Sequence, residues 1–361
     1  MLLSLFEYLS QFYSGFNVFQ YLTLRIVLGT LTALIISLLI GPYLINYLRT
    51  KQYYQSIRSD GPQSHINDKN TTPTMGGVII ILSIVISTML WSNLSNSYVL
   101  LLLLTIISFG LIGFYDDYKK LIHANSDGIK GKFKLFLQIL ISTIITLTLF
   151  IYLETGQLYS VVPFFKDNSY YLGYFFIPWS IFILVGSSNA VNLTDGLDGL
   201  AILPCILISS SLVIFAYVHG NINISEYLLI PYIKDTGEVA IFAASLVGAG
   251  LGFLWFNSYP AEIFMGDCGS LSLGASLGLL AVILKQELAF AIMSGIFIAE
   301  VLSVIIQVLS FKYRSGKRVF KMAPLHHHYE LSGISEPKII VRFWIITFIL
   351  VLIALSSLKI R

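Results

Sequence analysis

Charge is scarce in this sequence. Only 11% of its 361 residues are Asp, Glu, Lys or Arg, less than half of the about 25% usual in a soluble domain. With 56% of residues hydrophobic, a water-soluble fold of this length lacks the polar side chains to cover its surface. Cysteine is nearly absent. Cys205 and Cys268 both lie inside apolar runs, which excludes a disulfide framework and describes two small buried thiols. No polar stretch is long enough to make a separate soluble domain, so residues 1–361 read as one membrane domain. No fixed-period repeat is present, which excludes a solenoid. The formal net charge of +3 is too small to draw nucleic acid. The N-terminus has no basic segment before its first apolar run and no small-residue cleavage site after it, so that run reads as a retained helix, not a signal peptide.

What is abundant is apolar length. A spanning helix needs about 20 mostly apolar residues. Ten runs qualify: 22–47, 75–93, 98–115, 133–153, 171–187, 199–218, 238–256, 262–283, 288–310 and 339–358. The fold class expected is an all-α integral membrane protein. Lys and Arg mark the cytoplasmic loops of such proteins. Most of the 22 basic residues fall after the first, third and ninth runs: Arg49, Lys51, Arg58 and Lys69; Lys119, Lys120, Lys130, Lys132 and Lys134; Lys312, Arg314, Lys317, Arg318, Lys321 and Lys338. The intervening loops hold only Lys166, Lys234 and Lys285. The odd-numbered loops are therefore expected inside, and with ten spans both termini face the periplasmic side.

Carboxylates in or beside spanning segments are costly and are functional candidates. Asp116 and Asp117 end the third run in G-F-Y-D-D-Y-K-K. Asp195 and Asp198 precede the sixth in N-L-T-D-G-L-D-G-L. Asp267 lies about one turn into the eighth in F-M-G-D-C-G-S. The orientation assigned from Lys and Arg alone puts all five at cytoplasmic helix ends. Gathered carboxylates repel one another unless a cation or proton sits among them. Oxygen-only donors suit Mg²⁺ held together with water and substrate phosphate. Lys69, Lys120 and Lys132 in the adjoining loops supply point charges for phosphate. Carboxylates, magnesium and lysines together describe phosphoryl transfer by positioning and charge neutralisation.

Each motif has a structural alternative. Asp-Asp also fits a solvated helix end, and Asp195 and Asp198 fit capping charges. Gly266 and Gly269 suit close helix packing as well as approach of a phosphate. The segment from Lys69 through Thr74 to Gly77 also makes a good helix entry, with Pro73 at its start. Asn189, Asn192 and Asn257 suit a nucleobase, ribose or pyrophosphate, but amides also cap helices. His326, His327 and His328 point in different directions along any backbone, which argues against one shared metal. They suit a substrate contact or proton transfer near neutral pH. Glu300 falls in the middle of the ninth run, where a buried hydrogen bond to a neighbouring helix is the default.

The ordered set P-T-M-G-G, F-x-D-D, N-x-V-N-L-T-D-G-L-D-G-L, W-F-N, F-M-G-D-x-G-S and P-L-H-H-H-Y-E resembles the phospho-N-acetylmuramoyl-pentapeptide transferases. These belong to the polyprenyl-phosphate N-acetylhexosamine-1-phosphate transferase superfamily. The resemblance runs from about Ser14 to Arg361. It implies ten spans in the bacterial cytoplasmic membrane, in several cases as a homodimer, with the active site facing the cytoplasm. The implied reaction joins UDP-N-acetylmuramoyl-pentapeptide to undecaprenyl phosphate with Mg²⁺, giving lipid I and UMP, the first membrane step of peptidoglycan synthesis. It places the magnesium aspartate on Asp267 and the aspartate pair on Asp116 and Asp117, with Asp116 the expected proton acceptor and His326 beside them as a catalytic candidate. Substrate contacts fall on Lys69, Thr74, Lys120, Lys132, Asn189, Asn192, Asp195, Asp198, Asn257, His327 and His328. Thr71 departs from the pattern, since the family usually has glycine there.

Two other functions fit parts of the pattern. A sister transferase using UDP-N-acetylglucosamine shares the aspartates, but varies at P-T-M-G-G and P-L-H-H-H-Y-E. An ion-coupled transporter would place its carboxylates near the midplane between repeats, not at one face.

Overall fold

The computed structural model describes residues 2–53, 72–122, 128–153, 157–165, 169–314 and 316–359. Lys69 and Thr71 lie outside them. Among the described residues, nine helices are long and apolar enough to cross a membrane. The protein is an all-α multi-pass membrane protein.

The chain opens with α1 (Leu2–Ser10), followed by α2 (Leu22–Thr50), α3 (Gly77–Trp91), α4 (Ser97–Ile122) and α5 (Gly131–Tyr152). A small antiparallel hairpin, β1 (Tyr159–Val161) with β2 (Ser169–Tyr171), leads to α6 (Phe176–Thr194), α7 (Ile202–His219) and the short α8 (Ile222–Leu228). Then come α9 (Val239–Asn257), α10 (Gly266–Ile283), α11 (Glu287–Met293), α12 (Gly295–Tyr313), α13 (Leu325–Glu330) and α14 (Glu336–Ser356).

Every expected span corresponds to a helix, with three differences. The run 75–93 yields α3 of only 15 residues, because Pro73 to Gly76 stay extended or turned before it. The run 288–310 is not one helix. It divides at Ser294 into α11 and α12, where the Ser294-Gly295 pair is a weak helix former and a usual kink site. Asp267 is the second residue of α10, not one turn into it.

Burial sorts the helices into a centre and a shell. The apolar windows of α10 and α9 are 89% and 78% buried inside the protein, against 28% for α2, α5 and α12. The reason lies in side-chain size. Helices in lipid associate by close packing of small residues, and α9 and α10 are rich in Gly, Ala and Ser. At Gly274 of α10 a Cβ would strike the backbone of Ser187 and Ser188 in α6, so the two axes approach as only glycine permits. Helix α10 thus packs on α4 and α6, and α9 on α2 and α7. The shell helices turn leucine, isoleucine and phenylalanine outward, such as Leu31, Leu39, Ile144, Phe348 and Leu352, as lipid contact requires.

The two ends of the bundle differ. At one end the C-terminal half of α4, the C-terminus of α6 and the N-terminus of α10 converge with their aspartates. At the other, Lys285 just beyond α10 accepts a hydrogen bond from Val161 through its carbonyl, tying the β-hairpin down. There Arg25 of α2 also makes two hydrogen bonds with Glu238, at 2.8 and 2.7 Å.

Candidate active site

Three aspartates meet at the first of these ends. Oxygen atoms of Asp116, Asp117 and Asp267 lie within 4.8 Å of one another. Asp116 and Asp117 are almost fully buried on the inward face of α4, which continues past them to Ile122. Asp267 enters from α10, where the first turn of a helix favours a negative charge.

The turn that delivers Asp267 depends on Gly266. Its φ is +73°, and a Cβ there would stand 2.6 Å from Oδ2 of Asp117 and 3.0 Å from Oγ1 of Thr74. Both restrictions demand glycine. Gly269 and Gly77 pack backbone to backbone one turn further on, so this glycine serves packing. The amide of Cys268 donates to Oδ2 of Asp117 at 3.1 Å. The amide of Ile129 donates to Oδ1 of Asp116 at 2.5 Å.

Two ammonium groups face the carboxylates. Lys120 Nζ lies 2.8 Å from Asp116 Oδ2, 2.9 Å from Asp267 Oδ2 and 3.7 Å from Asp117 Oδ1. Lys134 Nζ lies 2.6 Å from Asp267 Oδ2 and 3.4 Å from Asp116 Oδ2. Three carboxylates against two ammoniums retain an excess of negative charge. Hard oxygen donors this close fit a divalent cation such as Mg²⁺ or Mn²⁺.

Neighbouring side chains orient these groups. Asn192 of α6 donates to Oδ1 of Asp267 at 2.7 Å and to Ser270 at 2.8 Å. Asn189, one turn earlier, bonds Gln138 of α5 at 2.8 Å. Asp195 follows the end of α6. Burial, helped by the charges of Asp267 and Asp117, pushes its carboxyl up to about 8, against a hydrogen bond from the Gly266 amide. Asp198 accepts from the amide of Ala261 at 2.9 Å.

Residues 99–285, just over half of the chain, match the sequence family described as Glycosyl transferase family 4. The chain belongs to this family. As a glycosyl transferase family 4 member it is a transferase of the polyprenyl-phosphate sugar-1-phosphate kind, with a polyprenyl phosphate as lipid substrate. The matched segment of the family 4 protein contains all five aspartates and both lysines of the cluster.

The structure does not gather all of the expected residues. Lys132 is exposed and stands apart from the carboxylates, while Lys134 takes the place next to them. Lys120 belongs to α4, not to a loop. Asn257 spends its amide on structure, accepting from Gly199 at 3.1 Å and donating to the Ile263 carbonyl at 2.8 Å. Thr74 is buried beside Gly266. Of the three consecutive histidines 326–328, only His326 is buried, with its ring against Gly196. His327 pairs with Glu330 at 2.7 Å, and His328 accepts from the Lys321 amide at 3.1 Å. Both cysteines are free and buried.

Sequence reasoning misses Lys134, Gln138 and Ser270. A signal for the first two exists: Lys134 and Gln138 stand four residues apart and share one face of α5, whereas Lys132 points away from it.

Proposed function

We propose that this transferase moves phospho-N-acetylmuramoyl-pentapeptide from its UDP conjugate to undecaprenyl phosphate, giving lipid I and UMP at the cytoplasmic face of a bacterial inner membrane. The observation that carries this reading is the convergence of Asp116, Asp117 and Asp267 with Lys120 and Lys134 at one end of a lipid-embedded bundle. The muramoyl-pentapeptide substrate is supported by the P-T-M-G-G and P-L-H-H-H-Y-E segments, since the latter brings His326 against the turn between Asp195 and Asp198. The basic loops at the aspartate end support the cytoplasmic orientation. The single membrane domain and the homodimer expected from the resemblance belong to the same proposal.

Asp267 would hold the divalent cation, Mg²⁺ in this reading, with the Asp116 and Asp117 carboxylates beside it. Bound there, it supplies charge neutralisation for the pyrophosphate and the departing UMP. Lys120 and Lys134 stand where they neutralise phosphate oxygens. Asn192 keeps the Asp267 carboxylate in one orientation. An oxygen of the lipid phosphate attacks the β-phosphorus of the sugar nucleotide, the new P–O bond forms, and the bond to UMP breaks. The last acidic proton of the acceptor goes to the Asp116–Asp117 pair, with Asp116 as the acceptor. Lys69, Thr74, Asn189, Asp195, Asp198, His327 and His328 complete the proposed substrate contacts.

The test is UMP release by detergent-purified protein supplied with undecaprenyl phosphate, Mg²⁺ and either UDP-N-acetylmuramoyl-pentapeptide or UDP-N-acetylglucosamine, beside Asp267→Asn. Release with the first sugar alone, lost in the variant, supports the proposal. Release with the second alone replaces it by the sister reaction. UMP formed without lipid acceptor would indicate an aspartyl-phosphate route in place of direct transfer.

A further inference from the structure

Glu300 is the ionisable residue for which the sequence supplies no role. It sits in the second turn of α12 with no exposed surface. A carboxylate buried in a membrane helix must find donors. Its donors come from α13, 25 residues further along the chain. The Leu325 amide donates to Oε2 at 2.7 Å and the His326 amide to Oε1 at 3.2 Å. The imidazole of the same His326 faces the carboxylate, with Nδ1 3.4 Å from Oε2, and neither ring nitrogen makes a hydrogen bond among the described residues.

The other edge of that ring is the informative one. His326 is 1% exposed, and Nε2 has no hydrogen-bond partner among the described residues. Nε2 stands against Gly196, so closely that a Cβ there would collide with it. Gly196 lies between Asp195 and Asp198 in the turn that follows α6. A buried, unpartnered nitrogen aimed at this turn points to a ligand. Neither neighbouring histidine is placed this way, since their Nδ1 atoms are engaged by Glu330 and the Lys321 amide.

We infer that Glu300 is a positioning residue acting through His326. Its carboxylate beside Nδ1 favours the Nδ1–H tautomer, which leaves the Nε2 lone pair directed at the Asp195–Asp198 turn. A carboxylate on one ring nitrogen decides which nitrogen carries the proton and where the ring points. A bare Nε2 accepts a hydrogen bond, so its ligand there is a donor. The hydroxyl and amide groups of a sugar nucleotide have that chemistry; a fully ionised phosphate oxygen does not. The inference rests on the reading of His326 as part of the transferase site.

Two measurements test it. In ¹⁵N-histidine-labelled protein in detergent, the His326 signal, assigned by its loss in His326→Asn, is expected to show a protonated Nδ1 and a bare Nε2. Glu300→Gln is expected to shift that ring toward the Nε2–H tautomer. In the transfer assay Glu300→Gln is expected to lower kcat about 10- to 100-fold, the usual scale for loss of such a supporting partner, with the KM for polyprenyl phosphate unchanged. In the His326→Asn background the same substitution should cost less than about threefold, because groups acting as a unit are not additive. A protonated Nε2 in the wild type, or a full additional loss in the His326→Asn background, overturns the inference. Absence of transfer by the wild type with either UDP-sugar would sink the functional reading instead, and the tautomer measurement would still decide the role of Glu300.

Discussion

Replacing Gly266 by alanine adds one methyl group at the point where α10 begins. Two costs arise together. A non-glycine residue held in the left-handed region costs about 1–2 kcal/mol. The added Cβ also meets Asp117 Oδ2 at 2.6 Å, Thr74 Oγ1 at 3.0 Å and the Met75 amide nitrogen at 3.3 Å. Overpacking of this kind costs about 1–3 kcal/mol. The sum is about 2–5 kcal/mol if the backbone holds. If the turn relaxes instead, Asp117 or Asp267 moves, and a displacement of about 1 Å at a reacting centre costs about 10²-fold in rate. Thermal unfolding in detergent and sugar-1-phosphate transfer, measured on one preparation, separate the two routes. Gly131→Ala is the control, because a Cβ there meets nothing within 4 Å and alanine favours the first turn of α5. A Gly266→Ala protein that melts and transfers like the wild type would refute the reasoning.

Three further outcomes are expected. Lys134→Met lowers kcat/KM for transfer by about 10²-fold or more, the scale for losing one aimed charge, while Lys132→Met stays within about twofold; the reverse order would mean that α5 turns its other face to the carboxylates. Asp195, with its carboxyl raised to about 8, binds a proton in the folded state that the unfolded chain has released above about pH 4. Its contribution to stability is therefore fully present below about pH 4 and lost as pH rises toward 8. In EDTA the wild type should lose melting temperature relative to Asp195→Asn across that window, and a constant difference would contradict the shift. Glu238→Gln leaves the buried Arg25 without its carboxylate and should cost about 3 kcal/mol, read as a lowered melting temperature with the carboxylate cluster's metal affinity unchanged.

The parts legible in the sequence share one property: they are anomalies against an apolar background. Asp116, Asp117 and Asp267 stand out whatever the rotation of their helices, and the Lys and Arg clusters set them all at one end. What escapes is information about phase and distance. Choosing between Lys132 and Lys134 requires the rotation of α5, and only the recurrence through Gln138 carries it. The partners of Glu300 lie 25 residues away, beyond any local pattern. Asn257 looks like a ligand-binding amide because polarity in an apolar run marks functional and structural hydrogen bonds alike; its two backbone partners decide for structure. The division at Ser294 escapes because the apolar run passes through it without a break in composition.

The shortness of α3 bears on how the bilayer meets the protein. Fifteen residues rise only about 22 Å, against about 30 Å of hydrocarbon in an average membrane. Leu82, Ile86 and Met89 keep one side of the helix outward, so lipid must accommodate the deficit there. Acyl chains next to a short span compress, and the headgroup layer dips toward it. The end of α3 at Gly77 packs on Gly269, two residues from Asp267. Transfer in proteoliposomes is therefore expected to be faster in short-chain than in long-chain lipid, and equal rates across acyl lengths would contradict this reading of α3.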